Sequence, residues 1–402
     1  MANWGSHPQY ATITGWGKAI PERVMTNVEL EAVVETSDDW IQSRTGIAQR
    51  RIAADGETTT DLAFLAAKRA LSVARILPTE VELIIVATST PEHIFPSTAS
   101  LVQDRLGANR AGAFDLSAAC SGFVYGLDMA AAKIRAGDIQ VAVVIGAETM
   151  SRILNWADRA TCILFGDGAG AVVLQARTEP GGLLASVLRS DGAGWDLLGV
   201  PTLGSREAYL LARADEYNEA IGRPAYELHR LHMNGREVYK FATRVVAESI
   251  RETMARAQLQ IADIDLIIPH QANQRIMDHI AKQLKLPPER VFSNVAHYGN
   301  TSAASIPIAL AEAIEAGRLA PGDHVVLTGF GGGLTWATVL LRWDAEPGTT
   351  SQINDLRQRA IYWYAQQRRR LLRNWRRASR WFGLRGNPTM RGLRNRLRRE
   401  KW

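Results

Sequence analysis

Two cysteines occur in the 402 residues, Cys120 and Cys162, and the first stands where a thiol could serve as a nucleophile. In Asp115-Leu-Ser-Ala-Ala-Cys-Ser-Gly-Phe-Val-Tyr-Gly-Leu127, an apolar run from Gly112 to Leu116 gives way to Phe123, Leu127 and Ala130, spaced as on one helix face. Cys120 is therefore expected at a strand-to-helix turn. There, unpaired amide N–H groups and the positive end of the helix dipole favour thiolate over thiol near neutral pH. A buried structural cysteine is the competing reading for Cys120, and it is the reading adopted for Cys162. Two more residues hold comparable places. His270 ends the apolar strand Asp265-Leu-Ile-Ile-Pro-His270, and Asn300 precedes a helix from Ser302 to Ala316. Reacting groups collect at such strand ends in α/β sheets. His229, His232, His279 and His297 lack ligand spacing, so no metal is expected.

The elements that must position these residues alternate along the chain. Helices are expected over Thr58 to Ala74, Pro96 to Leu106, after Cys120, and over Glu237 to Leu259, Ala272 to Leu284 and Ser302 to Ala316. Buried strands are expected over Val81 to Ala87, Val141 to Gly146, Asp265 to His270 and His324 to Thr328. Thr36 to Gly46 carries Trp40 four residues before Arg44, so on a helix both point the same way. That pair suits a nucleotide base or ribose, or simply a surface Trp under an Arg stem. Phe165-Gly-Asp-Gly-Ala-Gly170 lacks phosphate-loop spacing, and its glycines read as tight packing. Residues 195 to 232 read as a cap. The two halves echo each other: Glu82-Leu-Ile-Ile matches Asp265-Leu-Ile-Ile, and Arg135-Ala-Gly matches Glu315-Ala-Gly. With the second match as register, an offset of 180 residues sets Cys120 opposite Asn300 across a pseudo-twofold axis.

Composition, with 46% hydrophobic and 22% charged residues, is that of an ordinary globular protein. Two cysteines make no disulfide framework, which fits a reducing cytosol. Met1 to Tyr10 has neither the basic start nor the apolar run of a secretion signal, and no stretch approaches 18 apolar residues. The net charge of +6 divides unevenly: residues 344 to 402 hold 15 Arg and one Lys against four acids, a net +12, leaving −6 on the rest.

Seven ordered motifs now resemble β-ketoacyl-acyl carrier protein synthase III over about residues 10 to 343. They are Asp38-Asp-Trp-Ile-Gln-Ser-Arg-Thr-Gly-Ile47, Ala119-Cys-Ser-Gly-Phe123, Phe165-Gly-Asp-Gly-Ala-Gly170, His232-Met-Asn-Gly-Arg-Glu-Val238, Pro269-His-Gln-Ala-Asn273, Gly299-Asn-Thr-Ser-Ala-Ala304 and Gly329-Phe-Gly-Gly-Gly-Leu-Thr-Trp336. The resemblance implies a thiolase-like α/β fold: two duplicated βαβαβαββ-type halves in an αβαβα body, residues 1–180 and 181–343, forming a homodimer. It implies that Cys120 takes an acyl group from coenzyme A, and that malonyl-acyl carrier protein then loses CO₂ and attacks the acyl-enzyme. His270 and Asn300 would stabilise the enolate, while the N–H groups of Cys120 and Gly332 would form the oxyanion hole beside Phe330. The resemblance carries coenzyme A contacts onto Trp40, Arg44, Arg159, Gly235 and Asn273. It also carries a carrier-protein contact onto Arg275, and an acyl-pocket residue reaching across the dimer onto Phe95. Acyl-coenzyme A is a substrate, and no tightly bound cofactor is implied. Thiolases would need a second cysteine near Gly331, and none is there. A starter-unit condensing enzyme or acyltransferase of a specialised, polyketide-like pathway fits the same residues.

The family pattern ends near Trp343, so residues 344–402 are an addition. Ile353 to Phe382 contains neither Gly nor Pro. On a helix, Leu356, Ala360, Ile361, Trp363, Tyr364, Leu371, Leu372, Trp375, Trp381 and Phe382 share one side, with Arg359, Arg369, Arg370, Arg373, Arg376, Arg377 and Arg380 opposite and only Arg357 and Arg368 intruding. That pattern suits an anionic membrane surface contacted through residues 353–382. The alternatives are docking on the acidic body, an unselected extension, and nucleic-acid binding, which is not favoured. The expected location is the cytoplasm, with the tail at the inner membrane surface. A tail-driven binding protein with an incidental enzymatic body is the reading from another class, and the intact Cys120, His270 and Asn300 argue against it.

Overall fold

The computed structural model describes residues 9–201, 230–344 and 352–381. Most of the expected cap, Phe382 and the basic segment from 391 to 401 lie outside the described residues. The first half runs β1 (Tyr10–Ala19), β2 (Arg23–Thr26), α1 (Asn27–Glu31), α2 (Asp38–Thr45), β3 (Gln49–Ile52), α3 (Thr59–Ala74), β4 (Leu83–Ala87), α4 (Thr98–Leu106), β5 (Gly112–Leu116), α5 (Gly122–Arg135), β6 (Val141–Thr149), α6 (Arg159–Cys162) and β7 (Asp167–Arg177). The second runs β8 (Gly182–Ser190), β9 (Leu198–Gly199), β10 (His232–Met233), α7 (Gly235–Arg256), β11 (Leu266–Pro269), α8 (Gln274–Leu284), α9 (Val295–Tyr298), α10 (Ser305–Glu315), β12 (His324–Gly331) and β13 (Thr335–Arg342), with α11 (Gln352–Trp381) beyond it.

Two sheets carry the body, in the orders β1-β7-β6-β4-β5 and β11-β12-β13-β8. They repeat one plan: a parallel pair (β4 with β6, β11 with β12) is extended by two antiparallel neighbours. The counterpart of β5 shrinks to a single parallel bridge between Ile267 and Val291. Helices α5 and α10 lie between the sheets, their Phe123, Leu127, Ile306 and Leu310 sharing one core with strands of both. Eight of the eleven residues of α10 are buried, as a helix enclosed along most of its length requires. By contrast, α3 buries a stripe, Leu62, Ala63, Ala66, Ala67, Ala70 and Leu71, on the outer face of the first sheet, with α4 beside it. α7 and α8 cover the second sheet, which completes the αβαβα layers.

The repeat has a different register from the one expected. β4 and β11 start at 83 and 266, α5 and α10 at 122 and 305, β6 and β12 at 141 and 324, an offset of 183 each time. The Ala-Gly ends are 180 apart because α10 has 11 residues where α5 has 14. The shortened helix misaligned that match. Cys120 corresponds to Ala303 and Ala119 to Ser302, and these last two share left-handed backbone, φ +46° and +48°. Asn300 lies three residues ahead of the equivalent of Cys120.

The extension helix α11 packs on the outer helices of the first half. Ile361 and Ala365 sit against Gly107 at the end of α4, and Tyr362 meets Phe64 edge-on at 6.2 Å. The Gln358 Nε2 donates to the carbonyls of Leu71 (3.2 Å) and Ile76 (2.8 Å), where α3 ends. Arg368 and Arg369 approach Asp104 at 3.5 and 3.8 Å. The expected single apolar side is thus divided. Ile361 turns inward, Leu356, Trp363 and Leu371 stay exposed, and Arg369 faces the body instead of lying opposite it. No helix among the described residues is long and apolar enough to cross a membrane.

Candidate active site

Cys120 occupies a one-turn 3₁₀ segment, Ala119–Ser121, that runs straight into α5. The glycine run at the end of β12 lies against it: a Cβ on Gly331 would stand 2.7 Å from the Cys120 nitrogen, and one on Gly329 3.1 Å from Ser121 Cα. Side chains there would push the nucleophile out of place. The Thr335 hydroxyl and the Ser121 hydroxyl fix the turn through the Ala118 carbonyl, at 3.0 and 2.8 Å.

The sulfur is not the ready thiolate expected from the helix dipole. Burial pushes the Cys120 thiol up to about 12, and the carboxylate of Glu148 adds to the effect. Loss of water around the sulfur, together with a negative neighbour, outweighs the N–H groups of a helix start. The Sγ donates to Ser302 Oγ at 3.4 Å, and Ser302 Oγ donates in turn to Glu148 Oε1 at 2.8 Å.

His270 follows β11 and is buried, edge-on to Phe330 with centroids 5.2 Å apart. Burial lowers it to about 3, so the ring is neutral. Its Nδ1 lies 2.6 Å from Ser305 Oγ, which also accepts the Gln271 N–H at 3.4 Å. The hydroxyl, which accepts at most two donors and has one from Gln271, can give its own proton to Nδ1, and the neutral imidazole then carries its proton on Nε2. Asn300 is fixed the same way: its Oδ1 accepts the Ser302 N–H at 2.8 Å, which leaves the amide NH₂ as its free end. The backbone of Asn300 is pinned between Leu164 and Gly166, at 2.8 and 3.0 Å. That crossing needs its glycines, since a Cβ on Gly166 would meet the Tyr298 carbonyl at 2.3 Å and one on Gly299 the Leu164 carbonyl at 2.7 Å. The reading of tight packing for the glycine-rich segment holds here.

One cavity of about 830 Å³ is lined by Cys120, His270, Asn300, Phe330 and Gly332 together. Trp40, Arg44, Gly235 and Asn273 line it too. Arg44 and Arg159 stack on Trp40 at 5.9 and 4.8 Å from the ring centroid, so the aromatic–cation pair read from the sequence becomes a trio. Asn273 has both amide ends engaged, Nδ2 on the Arg44 carbonyl (3.1 Å) and Oδ1 on the Arg275 N–H (2.9 Å), and so ties α2 to the start of α8. Arg275 is exposed and lies 5.9 Å from the Tyr239 ring. Phe95 lies apart from the cavity, 84% exposed. Cys162 is buried beside Met25, Leu30 and Ile41. No group of three or more metal-ligating side chains occurs among the described residues.

Glu148, Ser302 and Ser305 were missed from the sequence. Ser302 and Ser305 fall in or just after the Gly299 to Ala304 motif, where nothing in the spacing shows which hydroxyl faces sulfur and which faces imidazole. Glu148 left a signal that was not used: an acid two residues beyond the apolar strand Val141 to Gly146. Arg236, another cation lining the cavity, was also passed over beside Gly235.

Comparison with known proteins agrees with this geometry. Family models described as 3-oxoacyl-[acyl-carrier-protein] synthase III match residues 114–192 and, for its C-terminal part, residues 254–343. The β-ketoacyl-[acyl-carrier-protein] synthase III of Roseiflexus sp. strain RS-1 is 49% identical over 339 residues, 84% of this chain and 99% of that one. That of Symbiobacterium thermophilum is 51% identical over 331 residues, 82% and 97% of the two chains. Among solved structures, the synthase III of Aquifex aeolicus VF5 superposes with a TM-score of 0.75 at 46% identity, covering 83% of this chain and all of that one. The priming β-ketosynthase of the R1128 polyketide pathway gives 0.77 at 34% identity, with 87% and 100% covered. The family model for the C-terminal part ends at residue 343, where the extension begins. The chain belongs to the β-ketoacyl-[acyl-carrier-protein] synthase III family of thiolase-like, acyltransferase-type condensing enzymes.

Proposed function

We propose that the chain condenses an acyl-coenzyme A primer with malonyl-acyl carrier protein, with loss of CO₂, to begin fatty-acid synthesis. The observation that supports this best is the cavity in which a thiol, a neutral imidazole and an amide NH₂ converge. In the first half-reaction Cys120 Sγ attacks the thioester carbonyl, and the N–H groups of Cys120 and Gly332 receive the oxyanion. In the second, His270 Nε2–H and Asn300 Nδ2–H donate to the malonyl thioester oxygen and hold the enolate formed as CO₂ departs. Both donors are uncharged, so negative charge developing on that oxygen is what they stabilise. Phe330 fills the wall beside the imidazole and keeps water from the enolate.

The wider assignments belong to the same proposal. Trp40, Arg44 and Arg159 grip the nucleotide end of coenzyme A, Gly235 and Asn273 border the pantetheine arm, and Arg275 meets the acidic carrier protein. Residues 1–180 and 181–343 act as the two halves of one body, a homodimer in which Phe95 closes the partner's acyl pocket. No metal or bound cofactor takes part. The enzyme works in the cytoplasm, with α11 resting on the anionic inner membrane surface. Exposed Leu356, Trp363 and Leu371 support that contact.

The test offers acetyl-, isobutyryl- and longer acyl-coenzyme A with malonyl-acyl carrier protein to the full chain, to Cys120→Ala and to a chain ended after Trp343. β-Ketoacyl product from the full and shortened chains, lost with Cys120→Ala, is the expected result. An acyl adduct on Cys120 without condensation would overturn the fatty-acid assignment and favour acyl transfer to another acceptor.

A further inference from the structure

The condensation gives no role to a buried acid that two successive hydrogen bonds link to the sulfur. Glu148, near the end of β6, is fully buried. Its Oε2 accepts from the hydroxyls of Thr90 (2.5 Å) and Thr88 (3.3 Å), and the Ser89 N–H lies 3.1 Å from each oxygen. Its Oε1 accepts from Ser302 Oγ at 2.8 Å and from the Ala303 N–H at 3.5 Å. All these donors are uncharged, and among the described residues no ion pair involves Glu148. Neutral donors of this number can satisfy a carboxylate, yet they leave its proton affinity high: burial raises Glu148 above the usual carboxylate range. The ionisable side chain facing it is Cys120. Ser302 lies between them, its proton directed to Glu148 and its oxygen accepting Sγ–H at 3.4 Å. The left-handed backbone at Ser302, φ +48°, aims that hydroxyl, and it persists in a residue type that rarely adopts it.

We propose that Glu148, acting through Ser302, accepts the thiol proton when Cys120 is acylated and returns it when condensation frees the sulfur. This rests on the acyl-transfer chemistry proposed above. As Sγ forms its bond to the thioester carbon, the Sγ proton passes to Ser302 Oγ, and the Ser302 proton passes to Glu148 Oε1. Collapse of the tetrahedral adduct breaks the bond to the coenzyme A sulfur, and the departing thiolate takes a proton from water. Glu148 stays protonated while the acyl-enzyme waits. Decarboxylation then gives the enolate, its carbon bonds to the acyl carbon, and the bond to Sγ breaks. The resulting thiolate recovers its proton from Glu148 through Ser302. The overall reaction consumes one proton, the one placed on coenzyme A.

The relay answers the high proton affinity of the buried sulfur. Making a thiolate beside an ionised Glu148 would put two negative charges in one dry site, whereas passing the proton along moves a single charge from carboxylate to sulfur. The same economy serves the second half-reaction, because a neutral Glu148 does not repel the incoming malonyl carboxylate or the enolate.

The experiment follows single-turnover acylation of the full chain by acetyl- and isobutyryl-coenzyme A between pH 5.5 and 9.5. The adduct on Cys120 is read by intact mass, for wild type and for Glu148→Gln, Glu148→Asp and Ser302→Ala. Glutamine keeps an oxygen for Ser302 but cannot take a proton. Acylation of Glu148→Gln and Ser302→Ala should fall about a hundredfold at pH 7 and climb roughly tenfold per pH unit as hydroxide supplies the missing base. The wild-type rate should stay flat above neutrality, and Glu148→Asp should regain part of the loss. Variants that acylate within about threefold of wild type on the same pH profile would overturn the relay. If Glu148→Gln does not fold, Ser302→Ala decides by the same criterion. A wild-type protein that takes no acyl group from either ester would overturn the acyl-transfer reading itself.

Discussion

Replacing Gly146 with alanine would test how closely the two halves are pressed together at the site. Gly146 lies in β6, and a Cβ built there stands 2.1 Å from the Ala303 carbonyl oxygen, 2.7 Å from its carbon and 3.1 Å from Ala304 Cα. Every obstacle is backbone, so no side chain can swing aside. Relieving contacts that normally sit near 3.5 Å requires the 302–304 turn to retreat by roughly 1.4 Å at the tightest point. Overpacking of that kind costs about 1–3 kcal/mol. The retreat also stretches Ser302 N–H to Asn300 Oδ1 and Ser302 Oγ to Glu148, both 2.8 Å now, at about 1 kcal/mol each. The sum is about 3–5 kcal/mol, which at roughly 2 °C per kcal/mol for a body this large lowers Tm by about 6–10 °C. Turnover should fall further than stability suggests, by about a hundredfold, because the displaced turn holds, through the Ser302 N–H, the Asn300 amide that must face the substrate. Melting and steady-state condensation, with Gly192→Ala as a control where no atom lies within 4 Å, provide the assay. A Gly146→Ala protein that melts within about 1 °C of wild type and turns over within about twofold would refute the close-approach argument.

Three further outcomes follow from the geometry. Ser305→Ala removes the hydroxyl that holds the imidazole proton on Nε2, so decarboxylation should slow by about tenfold while acylation of Cys120 barely changes. Equal loss in both steps would contradict the tautomer assignment. Lys18 bridges Glu312 and Glu315 at 2.8 Å each. Burial opposes charge at both Glu312 and Lys18, but their hydrogen bonds outweigh it, so Glu312 is lowered and Lys18 raised. The Glu312 contribution is present above its unfolded value, near 4.5, and is lost as pH falls through the lower folded one. The Lys18 contribution is present below about 10.5 and is lost as pH rises through the higher folded one. Lys18→Met should therefore flatten both limbs in urea midpoints taken from pH 3 to 11, and unchanged limbs would count against the triad. Gln358→Ala gives up two hydrogen bonds to the end of α3, about 1–2 kcal/mol of docking. Trypsin should then cut within α11 several times faster, and unchanged cleavage would mean that these bonds do not anchor it.

The layers were readable because their helices and strands carry uninterrupted signals. The apolar run of β4, the stripe of α3 and the end of α4 at Leu106 all fell close to where pattern placed them. The register of the repeat was not, since a helix shortened by three residues preserves the motif at its end and shifts everything at its start. At the site, Cys120, His270 and Asn300 announced themselves through residue type and position at strand or helix ends. The state of the sulfur did not. A dipole argument needs only the start of a helix, while the state of the thiol depends on burial and on the groups that come to face it, Glu148 and Ser302, 28 and 182 residues along the chain. The split faces of α11 were hidden for the same reason: periodicity names the sides of a helix, but the receiving groove at Gly107 and Asp104 decides which side goes in.

The matched backbone at Ala119 and Ser302 carries an implication for how such a site arose. If one turn was copied, the copies have since divided their labour: one kept a small methyl at the left-handed position and set a sulfur after it, and the other put a hydroxyl there and an amide two residues before. Neither half is a weaker version of the whole. A chain ended after the first half would hold a thiol with no hydroxyl to receive its proton and no amide to face an enolate, and the second half alone would hold donors with nothing to acylate. Duplication here produced complementary parts instead of a spare, so the two halves of this chain are bound to evolve together.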